Sequence, residues 1–200
     1  MTFYDVGKNI TRFLLWFSHR ITPEFEGEFP KEKGFVLACN HVSDLDPVIL
    51  GIACPKRIRY MAKEELFRVP VLGFIIRHLG AFPVARGKGD KDAIHNAVKL
   101  VEEGGVLGIF PDGGRSKDGK LRKMKSGAVV VASQTGGDIV PAAILYGQRK
   151  LFHRRPVTVK FGSPIPNEVL QITGNNKSEL RAANTLLGER IAGLLGVEAP

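Results

Sequence analysis

Apolar positions along the chain follow two patterns. Near the N-terminus Phe3, Val6, Ile10, Phe13, Leu14 and Phe17 recur at helical spacing, with Lys8, Thr11, Arg12 and Ser18 elsewhere on the wheel. That periodicity predicts an amphipathic helix within residues 1–20. From residue 34 onward, short uninterrupted apolar runs alternate with helical segments. Phe35 to Cys39, Ile58 to Met61, Ala81 to Val84, Val106 to Phe110, Ile139 to Leu145 and Val157 to Phe161 read as strands. Helices are expected at Pro47 to Ala53, Val71 to Leu79, Lys91 to Glu103, Ser126 to Gln134 and Lys177 to Leu195. Strands that are apolar throughout are those buried on both faces. The expected fold is therefore an α/β sandwich with a largely parallel central sheet and helices on both faces.

No repeat or linker divides the sequence, and 200 residues suffice for one core. The expected organisation is a single domain over 1–200: an N-terminal amphipathic helix (1–20), a motif-bearing core (34–165) and a C-terminal helix (177–195). No apolar stretch approaches the roughly 20 residues of a spanning helix. Val69 to Ala85 comes nearest, but Arg77 and His78 interrupt it and Pro70 and Pro83 bracket it. Its first half, Val69 to Ile76, suits a core, a groove wall or a bilayer-facing surface alike. The N-terminal helix has two fits as well: packing on the core, or lying in a membrane interface, which Trp16 beside Phe17 and the basic Arg12 and Arg20 favour. No secretory signal is visible, so a cytoplasmic protein is expected. Cys39 and Cys54 lie in apolar runs and read as buried reduced thiols, without the spacing of metal ligands.

A net charge of +9 implies anionic partners. Its basic residues concentrate in Lys117 to Lys125 and Arg149 to Arg155, the first cluster without aromatics and the second with only Phe152 and His153. Nucleic-acid recognition wants interleaved stacking platforms or a known motif, so no nucleic-acid partner is expected. Gly114-x4-Gly119-Lys120 imitates a nucleotide-binding loop, but Leu121 stands where a hydroxyl must reach magnesium.

Ligands of such sheets bind beyond the carboxyl ends of strands. After the first strand comes Asn40-His41-Val42-Ser43-Asp44-Leu45-Asp46-Pro47. Asp46 before Pro47 suits a helix start, its carboxylate capping the exposed amides. His41, five residues upstream, is placed to fold its imidazole back toward that carboxylate. An ionised carboxylate on one ring nitrogen leaves the other free as a base, which is what deprotonating an alcohol requires. The loop after Val106 to Phe110 reads Pro111-Asp112-Gly113-Gly114-Arg115-Ser116. Two glycines let backbone amides approach an anion, Arg115 supplies a phosphate-clamping fork, and Asp112 an acceptor for a hydroxyl. Gly80-Ala81-Phe82-Pro83-Val84-Ala85-Arg86 puts another arginine just past a strand end.

Taken in order, Asn40-His41-x4-Asp46-Pro47, Gly80-x-x-Pro83-Val84-x-Arg86, Phe110-Pro111-Asp112-Gly113-Gly114-Arg115-Ser116 and Ile139-Val140-Pro141-Ala142 resemble the four blocks of the glycerolipid acyltransferases. The likeness is greatest to the bacterial 1-acylglycerol-3-phosphate O-acyltransferases and continues through Met61 to Phe67 and Lys125 to Ala128. It implies that His41 is the general base and Asp46 its orienting partner. It further implies that Lys63, Arg86, Asp112, Gly113, Gly114 and Arg115 bind the acceptor, and that Pro141 shapes the acyl-donor side. The family more often has Glu at the position of Asp112 and Thr at that of Gly114.

The implied reaction moves a fatty acyl group from an acyl-CoA or acyl carrier protein thioester to lysophosphatidate, giving phosphatidate, at the cytoplasmic face of the cell membrane. It needs no cofactor and no metal, because a thioester is already activated. Ser43 and Ser116 lie near the motifs, but no Gly-x-Ser-x-Gly elbow surrounds either, so direct attack is expected. Glycerol 3-phosphate is the alternative acceptor, and a non-catalytic anionic-lipid-binding module the alternative function.

Overall fold

The computed structural model describes residues 2–84, 91–116, 120–170, 172 and 176–200. Its centre is β2 (Phe35–Cys39), buried along its whole length. β2 lies between β5 (Val106–Ile109) and β6 (Ile139–Tyr146), parallel to both. Beyond β5 come β3 (Ile58–Lys63) and β4 (Phe82–Val84), again parallel. On the other side β7 (Arg155–Phe161) runs antiparallel to β6, and β1 (His19–Phe25) pairs parallel with β7. The sheet order is β1-β7-β6-β2-β5-β3-β4, a largely parallel sheet as expected.

Both faces are covered. Val36 and Ala38 of β2 join a cluster with α5 (Lys91–Glu102), α6 (Gly127–Thr135) and α7 (Lys177–Leu195). Phe35, Leu37 and Cys39, turned the other way by the period of two, pack with Ile49 and Leu50 of α2 (Asp46–Ala53). After β2 the chain builds β3 and β4 to one side, returns for β5, then crosses to β6 on the other side of β2. This reversal of direction falls at β2, whose carboxyl end is the position that ligand sites favour in open α/β sheets.

Three described elements lie outside the expected pattern, one of them a 3-10 turn at Asn167–Leu170. β1 is an edge strand whose residues are mostly exposed and include Pro23, so it carries no continuous apolar run. α3 (Glu64–Arg68) is little more than a turn that buries only Phe67.

The N-terminal helix α1 (Phe3–Trp16) is present, closed by a capping box between Thr2 and Asp5, and it buries no residue. Its aromatic face is open: Phe13, Leu14, Trp16 and Phe17 are each more than half exposed, while Leu15 packs against the core on the α2 side. It is docked by its other side. The Tyr4 hydroxyl accepts from the Ile58 amide, and Lys8 donates to the Cys54 carbonyl. Lys8 thus faces the domain. α4 (Pro70–His78) exposes Phe74 and Ile75, and Phe74 meets Phe3 edge-on at 6.2 Å. No described helix is long and apolar enough to cross a membrane.

Candidate active site

β2 ends at Cys39, and Asn40 extends its pairing by a side chain. Asn40 Oδ1 accepts the Ile144 amide at 2.8 Å and its Nδ2 donates to the Ile144 carbonyl at 3.2 Å. This buried amide imitates one more rung of ladder, so His41 leaves the sheet from a fixed point. The β5 loop then holds the His41 backbone. Asp112 Oδ2 accepts the His41 N–H at 2.9 Å, and the Ser116 N–H donates to the His41 carbonyl at 2.8 Å. The imidazole stacks on Phe110 at 4.4 Å, and Phe110 stacks on Tyr60 at 6.0 Å. Gly108 makes this stack possible: a Cβ there would stand 2.4 Å from the Tyr60 ring.

His41 Nδ1 lies 2.8 Å from Asp46 Oδ2. The histidine side chain is 18% exposed, while Asp46 is fully buried. A carboxylate only accepts, so Nδ1 carries the proton and Nε2 presents a lone pair. Asp46 Oδ2 also accepts the Val42 amide at 2.6 Å and the Ser43 amide at 2.7 Å. Asp46 Oδ1 accepts the Tyr146 hydroxyl at 2.6 Å. The capping role expected for Asp46 is not what forms. Asp46 is itself the first residue of α2, Leu45 is the N-cap and makes no side-chain cap bond, and the carboxylate turns back into the loop. The tight turn over 42–45 brings its amides, rather than those of the helix, against the carboxylate.

Burial pushes the Asp112 carboxyl up to about 6, opposed by the His41 amide bonded to it. Its Oδ1 is buried and has no hydrogen-bond partner among the described residues. Gly113 adopts φ +66°, a conformation that favours glycine, and a Cβ there would meet the Lys125 side chain at 2.4 Å. The Lys125 amide donates to the Pro111 carbonyl at 2.7 Å, which folds the chain over this loop. Arg115 and Asp44 pair across the mouth of the site, both solvent-exposed.

Of the residues singled out from sequence, His41, Asp46, Asp112 and Arg115 converge on one loop pair, with Gly113 and Gly114 between the last two. Lys63 is exposed at the carboxyl end of β3, on the same edge of the sheet. Pro141 stands inside β6, within the strand expected there, buried and level with Ala38. Arg86 lies outside the described residues. Asn40, Tyr60, Lys125 and Tyr146 were not expected as members. Asn40 and Lys125 lay in stretches of the family likeness; Tyr146 had a weaker signal, as the residue ending a buried run whose alternate positions face α2.

An imidazole with one free nitrogen beside a buried carboxylate can take a proton from an alcohol, and the basic, glycine-bearing loop next to it can receive an anion. The family model for acyltransferases matches residues 20–145. The chain belongs to the acyltransferase family. It is 35% identical over 139 residues to a 1-acyl-sn-glycerol-3-phosphate acyltransferase of Bacillus subtilis, covering 68% of this chain and 69% of that protein. It is 33% identical over 127 residues to the enzyme of that name from Borreliella burgdorferi, covering 62% of this chain and 50% of that one. The crystal structure of the 1-acyl-sn-glycerophosphate (LPA) acyltransferase PlsC from Thermotoga maritima has the same fold. Its TM-score is 0.72 at 23% identity, over 96% of this chain and 78% of that one.

Proposed function

We propose that this enzyme transfers a fatty acyl group from an acyl thioester to the free hydroxyl of 1-acylglycerol 3-phosphate, giving phosphatidate, as a peripheral protein of the cytoplasmic membrane face. The observation that carries the reading is the 2.8 Å contact of His41 with buried Asp46, in a chain whose relatives bear that activity in name. His41 Nε2 takes the acceptor hydroxyl proton as that oxygen attacks the thioester carbonyl carbon. Collapse of the adduct breaks the C–S bond, and the imidazolium returns its proton to the departing thiolate. Asp46 balances the imidazolium throughout. A positioned base contributes roughly 10²–10⁴-fold.

The acceptor phosphate is held by Arg115, Arg86 and Lys63, joined by Lys125 over Gly113. Arg115 exchanges Asp44 for phosphate on binding, at small cost because an exposed ion pair contributes little. The Gly113-Gly114 backbone and Asp112 line the glycerol side, and Pro141 shapes the donor side from within the sheet. The donor is acyl-CoA or acyl carrier protein, each anionic and suited to a basic protein.

Membrane binding is assigned to the exposed apolar face of α1, continued by Phe74 and Ile75 of α4. Around it Arg12, Arg20 and Arg154 supply attraction to anionic lipid, with Arg154 over the Trp16 ring at 4.9 Å. A thiol-release assay tests the whole reading, with acyl-CoA and acyl carrier protein as donors against lysophosphatidate and glycerol 3-phosphate as acceptors. Turnover is expected with lysophosphatidate. Release with glycerol 3-phosphate alone would change the acceptor, and release with neither would refute the proposed activity.

A further inference from the structure

Tyr146 closes β6, four residues beyond Ala142, which pairs with Cys39 at the end of β2. β6 therefore overhangs β2 at the catalytic edge. The alternation that sends Ala142 and Ile144 into the α2-side cluster sends Tyr146 the same way, toward Asp46. Its hydroxyl reaches Asp46 Oδ1 at 2.6 Å, the length of a charge-assisted O–H···O⁻ bond. Three donors, from His41, Val42 and Ser43, converge on Oδ2. Among the described residues Tyr146 is the one donor to Oδ1. Its ring is clamped in turn by Arg155 of β7, whose guanidinium lies 4.7 Å from the ring centroid and whose Nε donates to the Gly147 carbonyl at 3.1 Å.

We propose that Tyr146 is a positioning residue of the acyl-transfer site, completing the hydrogen-bond shell of the buried Asp46 carboxylate so that it orients and charge-balances His41. The proposal rests on the reading of His41 and Asp46 as the catalytic pair. A fully buried carboxylate with one oxygen unsatisfied is a stronger proton acceptor and is free to reorient. The phenol removes both liabilities: it spreads the charge over two oxygens and fixes the plane of the carboxylate. Burial, and next the neighbouring Asp46, push the Tyr146 hydroxyl up, so it remains the donor. The nearby Ser43 hydroxyl opposes this shift. The other ionisable groups around the pair are Asp112, Tyr60, Cys39 and Arg155, and none of them bonds to Oδ1 among the described residues. The acyltransferase family match ends at residue 145, one position before this tyrosine.

The test is Tyr146→Phe, which keeps the ring and its stack with Arg155 and removes one hydroxyl. The expected result is a kcat lower by roughly ten- to a hundredfold, the loss typical of a hydrogen bond to a charged group, with the acceptor KM within about twofold. A kcat within about twofold of wild type in a folded variant, or a change in KM alone, would overturn the proposal. Should the variant not fold, proton NMR of the unliganded wild-type protein decides. A slowly exchanging Tyr146 hydroxyl proton, lost in Asp46→Asn, supports the bond; exchange at solvent rates overturns it. That spectrum requires no substrate. Failure of lysophosphatidate turnover would therefore refute the proposed reaction and leave this inference standing or falling on its own signal.

Discussion

Replacing Asp46 by Asn separates orientation from charge in this site more cleanly than such a swap usually does. Its Oδ2 accepts three N–H groups and its Oδ1 accepts one hydroxyl. The Val42 and Ser43 amides cannot reverse their polarity, so the Asn carbonyl must take the Oδ2 position. Its NH2 then faces Tyr146, whose oxygen accepts as readily as it donates and whose proton can turn toward Ser43. His41 keeps a carbonyl acceptor on Nδ1, and hence the tautomer that leaves Nε2 basic. What disappears is the negative charge opposite the imidazolium. Two unit charges about 4 Å apart at an effective dielectric of 20 attract by about 4 kcal/mol, or roughly 10³ in rate. Asp46→Asn should therefore lower kcat by roughly 10²–10³-fold while the acceptor KM stays near wild type. His41→Ala, which removes the base itself, should lose at least as much. The assay is thiol release, with nitrogen NMR of His41 to read the tautomer. A kcat within about tenfold of wild type, or an Asp46→Asn variant whose imidazole carries its proton on Nε2, would refute the reasoning.

Because burial raises the Asp112 pKa to about 6, the folded protein holds this proton more tightly than the unfolded chain, whose carboxyl titrates near 4. The protonated form's contribution to stability is complete below about pH 4 and is lost as pH rises through about 6. Asp112→Asn should keep the bond from the His41 amide, remove this slope, and be more stable than wild type by about 2 kcal/mol above pH 6, as chemical denaturation across pH 4–8 will measure. Arg115→Ala should raise the acceptor KM and spare that of the donor. Arg115→Lys should recover only part of the loss, since an ammonium lacks the bidentate fork, and steady-state kinetics in both substrates will check this. Replacing Phe13 and Leu14 of α1 by Asp should abolish sedimentation with anionic vesicles without unfolding the protein, because neither side chain is buried. Wild-type binding should weaken with salt without vanishing, and Trp16 fluorescence should shift to the blue on adding vesicles.

Much of this protein is legible in one dimension. Runs such as Phe35 to Cys39 identify the buried strands, because a strand covered on both faces has no polar alternation to offer. Pro47 marks the start of α2, and the order of the His41, Asp46 and Asp112 motifs points to the family. The described elements that escaped are those with little apolar surface to declare them, β1 at the sheet edge, the single turn of α3 and the 3-10 turn at Asn167–Leu170. Tertiary structure decided the rest. It left the aromatic face of α1 exposed, and it turned Lys8 inward against the Cys54 carbonyl. It withdrew the Asp46 carboxylate from the helix cap and surrounded it with donors from the 42–43 loop and from β6. Tyr146 is a hundred residues from Asp46 along the chain. The pairing of β6 beside β2, and the four residues by which β6 outruns it, are what bring that hydroxyl to the carboxylate. Sequence spacing sets which groups share a loop, whereas the register between strands sets which side chains from distant loops can touch.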